Sequence, residues 1–114
     1  MKEQLVSFET AKLAREKGFN ENCYFGFDNN VGNETLGDLN YTNSDNLYLM
    51  QPTQSLLQKW LRDVKGIRII INTDYIKETY SYSIFSKLHA IKEYRSYTYE
   101  EALEEGLKDA LKLI

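Results

Sequence analysis

The sequence predicts an α+β protein: an antiparallel sheet of three to four strands, with helices packed mainly on one face. Three observations carry that expectation. From residue 53 onward the order reads amphipathic helix, three strand-like segments, amphipathic helix, which suits a meander with helices on one side. IRIIINT at 67 to 73 is β-branched and alternating, the pattern of a strand. No internal repeat and no linker divides the 114 residues, so residues 1 to 114 are expected to form a single domain, a size at which one core can be buried.

The elements follow in order. In SFETAKLAREKGF, Ser7 is placed to cap a helix, Phe8, Ala11 and Ala14 recur on one face, and Gly18 stands where a left-handed residue would end it. A helix from about Phe8 to Lys17 is expected. CYFGF at 23 to 27 is aromatic and strand-favouring, with Gly26 suggesting a bulge or an edge. Residues 28 to 46 are rich in Asn, Asp and Gly and read as a long polar loop holding at most a hairpin. LYLM at 47 to 50 alternates weakly.

Pro52 pre-sets a helix start, with Thr53 or Ser55 as capping candidates, and Leu56, Leu57, Trp60, Leu61 and Val64 then form a stripe stopped by Gly66. In the strand that follows, Ile67, Ile69 and Ile71 share a face, and Ile70 on the other predicts a strand that is central or covered on both sides. YSYSIF at 80 to 85 predicts one buried face, with Tyr80, Tyr82 and Ile84, and one largely wet face. KLHAIKEY at 87 to 94 is a weaker third strand.

The last segment opens on Thr98 and Glu101 at capping-box spacing, with Tyr97 placed to staple against Ala102. Leu103, Leu107, Ala110, Leu111 and Ile114 make its apolar stripe, and the acidic start and basic end agree with the helix dipole. Gly106 lowers helix propensity by up to about 1 kcal/mol relative to Ala, so it is expected where another element comes close.

Composition excludes several functions. One cysteine, Cys23, cannot form an internal bridge, and with one histidine, His89, it cannot supply a four-ligand Cys/His zinc site. A reducing, cytoplasmic setting follows, and no apolar run approaches the ~20 residues that would span a bilayer. Residues 1 to 18 lack the basic start and apolar centre of a signal peptide. There is no phosphate-binding glycine loop, no HExxH pair and no nucleophile elbow. His89 has no partner group in the sequence to make it a base, and Cys23, among aromatics, reads as a buried inert thiol. Asp28, Asn30 and Glu34 invite a calcium loop, but Gly32, Asn33 and Leu39 stand where that pattern requires other residues. No catalytic residue, metal or cofactor is therefore assigned.

Charge is uneven. Residues 1 to 50 carry a net −4, residues 51 to 97 a net +4, and residues 98 to 114 a net −3. Lys59, Arg62, Lys65 and Arg68 cluster in the basic part, with Tyr80 and Tyr82 as rings that could stack on a partner, and these six residues make the candidate interaction surface. Nine tyrosines favour contact surfaces as well as core edges. The leading expectation is a non-catalytic protein that binds another protein or itself as a homodimer. One alternative is a nucleic-acid regulator using residues 59 to 68. The other is a small-molecule binder or minor enzyme with a tyrosine-lined pocket.

The blocks FETAKLAREKGF, PTQSLLQKWLRD and YEEALEEGLKDALKLI resemble a group of small uncharacterised proteins of gut bacteria and their phages and prophages. That resemblance covers most of the chain except the loop, and it implies an accessory protein of phage or prophage type with no residue roles to carry over. The order from residue 53 also resembles double-stranded-RNA-binding domains. Those domains open their last helix with lysines, whereas Glu100, Glu101, Glu104 and Glu105 stand here and would repel phosphate. Thr98 to Leu103 resembles the corresponding helix start of HicB antitoxins, a stretch that is also an ordinary capping box.

Overall fold

The structure, a computed structural model, describes residues 4–21, 23, 25–28, 35–36, 48–87, 90–94 and 98–114. The fold is mixed α+β. Its elements run α1 (Phe8–Glu16), β1 (Phe25–Asp28), β2 (Thr35–Leu36), β3 (Tyr48–Gln51), α2 (Gln54–Lys65), β4 (Arg68–Asp74), β5 (Thr79–Phe85), β6 (Ala90–Tyr94) and α3 (Tyr99–Lys112). They fall into two compact units, Met1–Thr53 and Gln54–Ile114. The strands accordingly form two antiparallel sheets, of order β2-β1-β3 and β4-β5-β6, and not the one sheet that the sequence predicts. The difference arises because LYLM, too short to declare its partner, pairs with β1 from Phe25↔Gln51 to Asp28↔Tyr48.

In the first unit, the Ser7 side chain accepts from the Thr10 N–H at 3.2 Å and opens α1. Gly18, at φ +100°, closes it: Phe19 N–H reaches back to the Ala14 carbonyl and Gly18 N–H to that of Arg15, the paired bonds that a left-handed residue after a helix permits. Ala11, Ala14, Phe19, Phe27, Leu49 and Met50 are buried, and the rings of Phe8 and Phe27 meet edge-on at 5.1 Å. The segment before α1 is tied down by Val6 N–H to the Pro52 carbonyl at 3.1 Å and by Gln51 Nε2 to the Val6 carbonyl at 2.8 Å. Gly26 does not mark a bulge or an edge. It pairs with both Leu36 and Met50 in the middle strand, where a missing side chain leaves a strand's hydrogen bonds intact.

In the second unit, β4, β5 and β6 pair as a meander with Ile69↔Ile84 and Ile71↔Tyr82 in register. Ile69, Tyr82 and Ile84 are buried, as are Leu57, Trp60 and Leu61 of α2 and Leu103, Leu107, Ala110 and Leu111 of α3. A Cβ added to Gly106 would lie 3.0 Å from Ile69 Cγ2 and 3.3 Å from Tyr82 Cγ, so the expected close approach is there, between α3 and the strands. Two glutamines that sequence reading passes over bind the unit together. Gln54 Nε2, buried at the start of α2, donates to the Glu100 carbonyl at 2.9 Å and to Glu104 Oε1 at 3.2 Å. Gln58 Nε2 donates to the Ile69 carbonyl at 2.9 Å.

Several expectations are corrected by this packing. Among the described residues β4 has a strand on one side only, and Ile70 is 49% exposed, so the strand is neither central nor covered on both faces. The Ser81–Ser83 face of β5 is not wet. Both serines are buried: β5 is the middle strand of its sheet, and the Ser83 hydroxyl accepts from Asn72 Nδ2 of β4 at 2.9 Å. Val64 and Ile114 extend their helical stripes past the last packed turn and are exposed. The Tyr97 staple and His89 lie outside the described residues.

Candidate interaction surface

The six residues singled out by charge and aromaticity do not form one surface. Lys59, Arg62 and Lys65 are exposed on α2, because Leu57, Trp60 and Leu61 turn the other side of that helix inward. Arg62 Nε lies 3.3 Å from Asp63 Oδ1, both side chains half exposed. Lys65 Nζ stands 5.6 Å from the centre of the Trp60 ring, within cation–π range. Arg68 begins β4 and is exposed, while Ile69 beside it is buried. Strand alternation therefore sends Arg68 to the sheet face away from the helices.

The tyrosines separate from the basic residues as well. Tyr80 is half-buried and its ring meets that of Tyr99 edge-on at 6.1 Å. Tyr82 is 3% exposed and its hydroxyl donates to Asp109 of α3, so it is a core residue and offers no platform for a base.

A different surface stands out. At the turn between β4 and β5, Tyr75 is 88% and Ile76 95% exposed. The turn is held, not loose: Asp74 Oδ1 accepts from Ile76 N–H at 3.0 Å and Lys77 N–H at 3.2 Å, and Glu78 adopts φ +53°. Below the tip, Ile70 of β4 and Phe85 of β5 are exposed on the face that also carries Arg68. The available signal in sequence was DYIKE itself, where two large apolar residues occupy a turn that polar residues normally fill.

Among the described residues each unit carries a cleft of its own. One, of about 520 Å³, lies at the end of α2 and is lined by Val64, Gly66, Ile67, Leu113 and Ile114 together with Lys87 and others. The second, of about 320 Å³, lies at the end of α1 around Arg15, Gly18, Phe19 and Asn20. Neither is lined by tyrosine. Among the described residues no group of three or more His, Cys, Asp or Glu is arranged to hold a metal ion, and no helix is long and apolar enough to cross a membrane.

Cys23 is buried, and its sulfur lies 3.5 Å from the Glu21 carbonyl. Burial first, and the Glu21 charge second, push its thiol up to about 12, which is the opposite of what a nucleophilic cysteine needs.

No protein-family model, curated protein or solved structure matches the chain.

Proposed function

We propose that the protein works by protein–protein contact, with another protein or a second copy of itself, through the β4–β5 hairpin. The observation that carries this reading is the Tyr75–Ile76 tip, with almost the whole of two large side chains in water on a turn held by Asp74. A tip already ordered loses little conformational entropy on binding, and tyrosine is among the residues that dominate interface energetics. A cytoplasmic accessory role of phage or prophage type agrees with the sequence resemblance. Nucleic-acid binding is less well supported, because Arg62 and Lys65 already have Asp63 and Trp60 as neighbours and Tyr82 is buried.

The test compares the chain with a Tyr75→Ser, Ile76→Ser variant by light scattering after size exclusion and by cross-linking in host extract. The expected result is loss of association with an unchanged melting curve. Association that is equal in both proteins would overturn the hairpin as the contact.

A further inference from the structure

We infer that the open side of β4 seats a second copy of this chain, paired antiparallel about a twofold axis at Ile71, so that two three-stranded sheets join into one of six strands. This rests on the reading of self-association above and specifies its geometry. Among the described residues no strand pairs with β4 on that side, and an unpaired strand edge is a ready template for another strand. A twofold axis makes the contact isologous, the commonest arrangement of homodimers.

The residues of β4 are complementary to themselves in this one register. With Ile71 opposite Ile71 of the second copy, Arg68 faces Asp74, Ile69 faces Thr73 and Ile70 faces Asn72. The Arg68–Asp74 pair occurs twice, once at each end of the joined strands, and all four charged residues lie on the sheet face away from the helices. Directly opposed residues of an antiparallel pair are close enough to interact. Shifting the register by one residue would send the buried face of the strand outward, and shifting it by two would leave both charges without opposite partners.

Three exposures that the isolated chain leaves unexplained fall into place. Ile70, 49% exposed, becomes a diagonal neighbour of its own symmetry mate. Ile71, half-buried at the edge, meets its own copy on the axis. The Tyr75–Ile76 tip, beyond Asp74, is carried toward the region of the second copy where Val64, Gly66 and Ile67 line the apolar cleft. Gln58, which bonds the Ile69 carbonyl, does not bar the pairing, since a carbonyl oxygen has two lone pairs and can accept a second N–H.

The experiment is sedimentation velocity over a concentration series with the full chain, Arg68→Asp, Asp74→Arg, and an equal mixture of the two variants. The wild-type chain is expected to dimerise. Each variant alone should associate about tenfold more weakly, because like charges then face each other. The mixture should recover the dimer, since one copy then offers only acidic and the other only basic residues at positions 68 and 74. Asp74→Asn keeps the acceptor oxygen of the turn and removes the charge; should Asp74→Arg not fold, it serves in its place and weakens association to a smaller degree. A wild-type dimer that neither Arg68→Asp nor Asp74→Asn weakens overturns this pairing and leaves self-association standing. A wild-type chain that is monomeric at every concentration overturns both.

Discussion

The hydroxyl of Tyr82, in the middle strand of the second sheet, donates to the carboxylate of Asp109 on the last helix. Because the ring is buried and the carboxylate is only half-buried, the bond fixes a polar tip at the boundary of the core. Tyr82→Phe is expected to destabilise the protein by about 1 to 2 kcal/mol, somewhat above the ~1 kcal/mol of a typical hydrogen bond because the acceptor is a carboxylate, and no more because that half-buried carboxylate can rehydrate. Asp109→Asn, which keeps an acceptor oxygen, should cost less. Urea unfolding of the two variants checks this order, and a neutral Tyr82→Phe would show that the bond contributes nothing.

The same ring makes Gly106 sensitive. Alanine there would improve helix propensity by about 1 kcal/mol, but its Cβ would come within 3.0 Å of Ile69 Cγ2 and 3.3 Å of Tyr82 Cγ. Neither neighbour yields easily. Ile69 is a β-branched residue paired into a sheet, and Tyr82 is held at its far end by Asp109. Overpacking of this kind costs about 1 to 3 kcal/mol, so Gly106→Ala is expected to lower the unfolding midpoint despite its better propensity. Adding Tyr82→Phe should relieve part of the loss, because the ring is then free to move. A rise in midpoint for Gly106→Ala would mean that the strands shift at little cost.

These contacts mark where sequence reading succeeds and where it stops. Ser7, Gly18, Gly66 and Thr98 were legible because capping and left-handed closure depend on neighbours a few residues away. Gly106 was legible because a glycine within a strong helical stripe needs a steric reason. Strand order was not legible. Ile70 looks as apolar as Ile69, and only the choice of sheet face that α3 covers, a property of the packed fold, separates the exposed one from the buried one. The same holds for Gly26, which is central because β3 joins it. Tyr80 and Tyr82 alternate correctly onto one face, yet their accessibility depends on where α3 crosses that face. Spatial grouping is hidden for a related reason: charge clustering along the chain brings Arg68 together with Lys59, Arg62 and Lys65, whereas strand alternation places it on the sheet face away from the helices.

Trp60 is a core anchor. It is 6% exposed, between Leu57 and Leu61, which are fully buried. Trp60→Ala is expected to cost about 3 to 5 kcal/mol, a large fraction of the total stability of a small domain. Lys65→Ala removes the cation above the ring and should cost about 0.5 kcal/mol, the value for an exposed cation–π contact. Thermal and urea unfolding separate the two, and a near-neutral Trp60→Ala would show that the ring does not support the core.

Cys23 predicts how stability responds to alkali. In the unfolded chain its thiol ionises near its ordinary value of 9.0, whereas in the folded chain burial and Glu21 hold it up to about 12. Between those two values the unfolded state loses a proton that the native state keeps. The unfolded state then binds fewer protons, and stability falls as pH rises. Below pH 9 the cysteine should make no difference to the pH dependence; from there toward pH 12 the wild-type chain should lose stability faster than Cys23→Ala. The alanine variant carries its own loss of buried volume, so the relevant quantity is the difference in slope and not the difference in level. The same burial predicts that a thiol-specific reagent at pH 8 labels Cys23 slowly in the native chain and rapidly in urea. Parallel alkaline slopes for the two proteins, or fast labelling of the folded chain, would place the thiol in water instead.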